Sequence, residues 1–160
     1  MIRQATPDDA DTILDVWLLA SLQAHDFIPA AFWWQQQEAM RARYLPAAQI
    51  WVCERQGEVQ GFVALVNDYV AALFVRPDCQ QNGIGRALLD TAKQQRHTLT
   101  LRVYCENDIA VNFYCNQGFS IIAEGTDAAT SQPELYMEFR AKGDKQQDHA
   151  LCQHASAINS

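Results

Sequence analysis

At 160 residues the chain suits a single domain, and a hydrophobic share of 49% is enough for a full core. A net charge of −7 and a pI near 4.9 argue against nucleic acid as the main partner, because phosphate backbones attract basic faces. The acidic balance is compatible with a cationic substrate, although ordinary solubility accounts for it equally well. The N-terminus, Met1-Ile-Arg-Gln-Ala-Thr-Pro7, lacks the apolar run of a signal peptide, and no stretch is long enough to span a membrane. Five cysteines (Cys53, Cys79, Cys105, Cys115 and Cys152) form no CxxC pair. A cytoplasmic protein with reduced thiols and no membrane partner is the expectation.

Ile2 to Ala5 reads as a short first strand. Thr6-Pro7-Asp8-Asp9 then starts a helix: threonine caps, proline suits the first turn, and the two aspartates favour the positive end of the dipole. Ile13, Leu14, Trp17, Leu18 and Leu22 recur at helical spacing, which carries the helix to about Ala24. His25-Asp-Phe-Ile-Pro29 breaks it, and a second helix is predicted from Ala30 to Tyr44. Gln49 to Arg55 and Val59 to Val66 read as paired strands across a Gln56-Gly57-Glu58 turn. After Asn67-Asp68, the nearly unbroken apolar run Tyr69 to Val75 suits a strand buried on both faces.

Gly83 to Gln95 is a helical pattern with Ile84, Ala87, Leu88 and Ala92 on one face. Leu99 to Tyr104 is a strand, Asn107-Asp108 caps a short helix through Asn116, and Gly118 ends it in a left-handed turn. Phe119 to Ala123 and Leu135 to Phe139 are the last strands. The order β-α-α-β-β-β-α-β-α-β-β predicts an α/β domain over residues 1–140 with a mixed sheet. Residues 141–160 form a polar, aperiodic tail whose His149, Cys152 and His154 are weak grounds for a metal site.

The most informative stretch runs Leu73-Phe-Val-Arg-Pro-Asp-Cys-Gln80-Gln-Asn-Gly83-Ile-Gly85-Arg86. An apolar strand enters a polar loop, and two glycines one residue apart open a helix. Backbone N–H groups in Gln81 to Arg86 converge at the positive end of a helix dipole, and Arg86 adds a full charge, so the loop suits an anion. A Rossmann fingerprint would need a third glycine where Leu88 stands. A P-loop would need Gly-Lys-Ser/Thr, and Gly85-Arg86-Ala87 does not supply it.

Gln80-Gln-Asn-Gly83-Ile-Gly85 instead matches Q/R-x-x-G-x-G/A, and Asn107-Asp-Ile-Ala110-Val-Asn-Phe113-Tyr114-Cys-Asn-Gln-Gly118-Phe119 matches N-x-x-A-x-x-F/L-Y-x-x-x-G-F. In both motifs, in this order, the chain from Ile2 to Phe139 resembles the GCN5-related N-acetyltransferase (GNAT) superfamily, and within it the small single-domain bacterial acetyltransferases. The resemblance implies a mostly antiparallel seven-stranded sheet with splayed central strands and about four helices. It implies acetyl-CoA as co-substrate, no metal, and a frequent homodimer. The pantetheine arm would pair with the backbone of Leu73, Phe74 and Val75, the Val75 amide facing the thioester carbonyl. Gln80, Gln81, Asn82, Gly83, Ile84, Gly85 and Arg86 would hold the pyrophosphate, and Asn107 would contact the cofactor.

Tyr114 would be the general acid, since a phenol is a fair match for a departing thiolate. The base is less legible. Several relatives carry a glutamate five residues ahead of the motif asparagine, and here that position is Arg102, which cannot accept a proton. Glu106, Asp68, His25 or a relayed water remain as bases; a His25–Asp26 pair on a loop can titrate near neutral pH, and it reads equally as a surface pair that ends the helix. His25 and Phe27, in the break between the first helices, with Tyr69 and Tyr104 are the candidate acceptor-binding residues. Cys79, Cys105 and Cys115 read as incidental thiols, because the family transfers directly to the amine in a ternary complex. The function implied is transfer of acetyl to a primary amine: a protein N-terminus, a lysine or a small molecule. A non-catalytic acyl-CoA sensor is the alternative that Arg102 motivates, and a nucleotide-binding module is a third.

Overall fold

Four antiparallel strands organise the N-terminal part of the chain. The structure, a computed structural model, describes residues 1–141, which fall into two units, one of Met1–Gln95 and one that begins at Arg96. In the first, β1 (Ile2–Gln4), β2 (Gln49–Arg55), β3 (Glu58–Val66) and β4 (Tyr69–Val75) pair in sequence order. The β2–β3 turn is tight because Gln56 and Gly57 both adopt positive φ, +55° and +76°, matching the strand twist. Thr6 opens the helical segment with a 3-10 turn, Pro7–Asp9, before α1 (Ala10–Ala24) begins. The Thr6 amide donates to Asp9 Oδ2 at 2.8 Å, and Arg3 donates to both Asp9 oxygens and to Glu54. The guanidinium holds the Asp9 carboxyl at about 2, below its ordinary range.

Proline 29 precedes α2 (Ala30–Ala39), which widens into a π turn over Met40–Tyr44 and ends in a single turn, α3 (Leu45–Ala47). Pro46, which has no amide to donate, follows the widened turn. Helix α4 (Ile84–Gln95) buries Ile84, Leu88, Leu89 and Ala92. Both α1 and α4 pack against β3, whose Gly61 to Leu65 are all buried. Burial on both faces, expected of β4, therefore belongs to β3. Strand β4 is the last of its unit's ladder, with Ala71 exposed and Leu73, Phe74 and Val75 only partly covered.

In the second unit, β7 (Pro133–Arg140) lies between β5 (Thr98–Tyr104) and β6 (Ser120–Thr126), antiparallel to both. Helix α5 (Asp108–Asn116) connects β5 to β6. Leu99, Leu101, Val103, Leu135 and Met137 are buried at alternate positions on one face. The chain of rings Tyr114–Phe119–Phe139, with centroids 5.5 and 5.6 Å apart, ties α5 to that face. Arg102, Tyr104, Glu134, Tyr136 and Glu138 occupy the other.

The fold class is the expected α/β type, with seven strands and four helices of nine residues or more. No helix among the described residues is long and apolar enough to cross a membrane. His149, Cys152, His154 and the proposed tail lie outside the described residues.

Candidate active site

The Gln80–Arg86 loop owes its shape to two left-handed residues. Gln81 has φ +67° and Gly83 φ +78°, and α4 starts at Ile84 with the Ala87 amide bonded to Gly83 O at 3.0 Å. Helix geometry leaves the first-turn amides of Ile84, Gly85 and Arg86 without an intrahelical acceptor, at the positive end of the dipole. Gln80 Nε2 donates back to Val75 O at 3.2 Å and Asn82 Nδ2 to Cys79 O at 3.3 Å, fastening the loop to β4 and to itself. Arg86 is largely exposed, 4.0 Å from Asp90 one turn on.

Register determines what β4 offers. Val75 sits opposite Gly61, and the next amide, Arg76, donates to Gln60 O at 2.8 Å. Val75 and Gly61 are thus a non-hydrogen-bonded pair, and so are Leu73 and Val63 two residues earlier. The Leu73 and Val75 amides therefore point away from β3, while Phe74 is tied to it. An extra residue at Ala71 bulges β4, since Val70 and Ala72 oppose the consecutive Leu65 and Ala64.

In the second unit, Asn107 Oδ1 accepts from the Ala110 amide at 3.2 Å and so caps α5. Tyr114 is 9% exposed, edge-on to Phe113 and Phe119. The Tyr104 hydroxyl donates to Asp127 Oδ2 at 2.5 Å, and burial first, then that carboxylate, push its pKa far above the ordinary value. Arg102 is 60% exposed, with its guanidinium 5.1 Å above the Tyr136 ring.

The His25–Asp26 pair expected in the α1–α2 break does not form as a surface pair. His25 caps α1 through a 3.0 Å bond from its amide to Ser21 O, and its ring is buried, stacked 5.1 Å from Trp33 and edge-on to Phe27 at 5.8 Å. Asp26 is exposed. Burial lowers the His25 pKa to about 4, so the imidazole is neutral at pH 7, correcting the expectation of titration near neutrality. Asp68 and Glu106 are both exposed, Asp68 in the β3–β4 turn, and Tyr69 is half-buried.

Cys53, Cys79, Cys105 and Cys115 are all thiols. Burial, with carboxylates nearby, raises the Cys79 and Cys105 pKa, which is opposite to what a nucleophilic thiol needs. Sequence reading missed one buried carboxylate, Glu134 at the start of β7, 5% exposed. Its only signal is a charged residue at the strand edge.

Residues 46–121 match the acetyltransferase (GNAT) domain family. Peptidyl-lysine N-acetyltransferase YiaC of Escherichia coli (strain K12) is 37% identical over 140 residues, covering 87% of this chain and 96% of that protein. Peptidyl-lysine N-acetyltransferase YjaB of the same organism is 32% identical over 142 residues, covering 86% and 95%. The solution structure of apo YjaB from Escherichia coli aligns with a TM-score of 0.77 and 27% identity over 87% of this chain and 96% of that one.

Proposed function

Because this chain belongs to the GNAT family of acetyl-CoA-dependent N-acetyltransferases, we propose that its acceptor is the ε-amino group of a protein lysine. The observation that carries this is that YiaC and YjaB, both matched over nearly their full lengths, are peptidyl-lysine N-acetyltransferases. The acidic balance of the chain, −7, suits a cationic acceptor.

Transfer from a thioester needs a neutral amine, a polarised carbonyl, a protonated leaving thiolate and attack geometry. The residues present fit acetyl-CoA: the loop presents first-turn amides to an anion, and β4 turns the Leu73 and Val75 amides away from its partner strand. In this reading Gln81 to Arg86 bind the pyrophosphate, while Gln80 holds the loop against Val75. The Val75 amide polarises the thioester carbonyl as it gains negative charge. Asn107 shapes the start of α5 as its cap and lies near the cofactor. The Tyr114 hydroxyl protonates the thiolate.

The test is turnover with acetyl-CoA and a lysine peptide whose N-terminus is blocked, read as CoA release and as a mass gain on the lysine. Turnover confined to free N-termini or to small amines overturns the acceptor. Tyr114→Phe is expected to lower kcat by ~100-fold or more while acetyl-CoA still raises the melting temperature. Unchanged turnover removes Tyr114 as the acid.

A further inference from the structure

Glu134 is a buried charge with little to hold it. Its side chain retains 7% of its exposure, and a carboxylate at such a position is ordinarily paired or hydrogen-bonded. The nearest cation is Arg102 Nη1 at 4.0 Å from Oε1, beyond hydrogen-bond reach, and that arginine is turned over the Tyr136 ring. No described residue donates a hydrogen bond to either Glu134 oxygen.

Ladder register shows what surrounds it. Glu134 pairs with Tyr104 of β5 on one side and with Gly125 of β6 on the other, and Tyr136 pairs with Arg102. Opposite residues of an antiparallel pair share a face, so Glu134 lies on the face that α5 does not cover. At Gly125 a Cβ would stand 2.6 Å from the Tyr136 hydroxyl, so the Tyr136 ring lies over the glycine. The carboxylate is thus flanked by two tyrosines, Tyr104 anchored by Asp127 and Tyr136 lying over Gly125. Within the unit the other ionisable groups near this region are Arg102, Cys105, Glu106, Glu124 and Asp127, with Glu138 and its ion-pair partner Arg140 further along the same face of β7.

A buried carboxylate between aromatic walls, with no hydrogen-bond donor of its own among the described residues, has the chemistry of a lysine site. The rings cover a methylene stem, and the carboxylate meets the ammonium at its tip. We infer that Glu134 binds the acceptor ammonium and takes its proton, supplying the base that Arg102 cannot be. The assignment rests on the lysine reading above.

The R–NH3+ ammonium gives one proton to the Glu134 carboxylate. The freed lone pair forms the N–C bond as the C–S bond breaks, and the thiolate takes the Tyr114 proton. The new amide nitrogen gives up its extra proton and returns one to Tyr114, and Glu134 releases its own to solvent.

The experiment compares kcat/KM against pH for the wild type and Glu134→Gln, using a lysine peptide and spermidine as acceptors, with acetyl-CoA binding followed by thermal shift. The expected result is a ~100-fold deficit near neutral pH that closes as the pH approaches lysine's own pKa of ~10.4, with acetyl-CoA binding kept. Activity within about twofold of wild type at neutral pH, or a deficit constant at every pH, overturns the assignment. Should Glu134→Gln fail to fold, Arg102→Gln at the exposed partner decides. Removing that competing cation should lower KM for the lysine peptide while acetyl-CoA binding is kept, and an unchanged KM overturns the assignment. Wild-type turnover of spermidine but not the peptide refutes the lysine reading alone, and the profile on spermidine then judges Glu134. Turnover of neither refutes both.

Discussion

Replacing His25 by phenylalanine should flatten the acid side of the stability curve. The ring lies between Trp33 and Phe27, and burial lowers its pKa from 6.5 to about 4. As pH falls, the unfolded chain takes up this proton before the folded one does. The folded state therefore holds its full stability above pH 6.5 and loses it progressively as pH falls towards 4. At 1.36 kcal/mol per pK unit the loss is roughly 2 kcal/mol by about pH 5 and roughly 3 kcal/mol by about pH 4. That is a large part of the ~5–15 kcal/mol that holds a domain together. Phenylalanine keeps an aromatic stack on Trp33 but cannot be protonated. Urea unfolding followed by tryptophan fluorescence, repeated across the pH range, gives the two curves. Their difference should be nearly constant above pH 7 and then change by roughly 2 kcal/mol by about pH 5 in favour of the variant. Contributions common to both chains, including the low-titrating Asp9, cancel in that difference. Parallel curves would refute the claim that His25 is buried and neutral. Because the proton acceptor inferred above is Glu134 and not His25, His25→Phe should also leave the acidic limb of kcat/KM where it is in the wild type.

Two glycines separate space from backbone conformation. Gly61→Ala would set its Cβ 3.0 Å from Phe74 O and 3.1 and 3.2 Å from Ile84 and Leu88, where α4 packs on β3, so a loss of ~1–3 kcal/mol in urea unfolding is expected. An unchanged midpoint would show that the helix moves aside freely. Gly83→Ala meets no atom within 4 Å, yet its φ of +78° costs an L-residue ~1–2 kcal/mol. It should weaken acetyl-CoA binding by calorimetry several-fold with little effect on the α4 core, and equal affinity would remove the loop from the donor site.

Legibility followed the range of the interactions. The loop from Gln80 to Arg86 was readable because its signals are local: a turn, a left-handed glycine and a helix start fall within seven residues. Asn107 likewise announces a cap that the structure realises on Ala110. Element bounds held for the same reason, as in β2 and β4, where turn residues punctuate apolar runs. Burial was less readable. Tyr69 to Val75 and Val59 to Val66 are both apolar, and which one is covered on both faces depends on packing by α1 and α4, helices distant in sequence. His25 misled in the same way. Beside an exposed Asp26 it reads as a surface pair, and only the approach of Trp33 from α2 makes it a core residue.

Glu134 shows why the acceptor side stayed hidden. Pro133-Glu-Leu-Tyr-Met-Glu alternates polar and apolar residues, and with period two that pattern places Glu134, Tyr136 and Glu138 on a solvent face. The alternation is right about the face and wrong about the exposure. Burial at Glu134 is not written in β7. It arises where β7 pairs with Tyr104 on β5 and Gly125 on β6, partners roughly thirty and ten residues away. Arg102, read alone, looks like the loss of a base. Seen in its ladder it is the exposed cation of a face that carries its carboxylate one strand over, so the arginine argues for a relocated proton acceptor rather than for an inactive site.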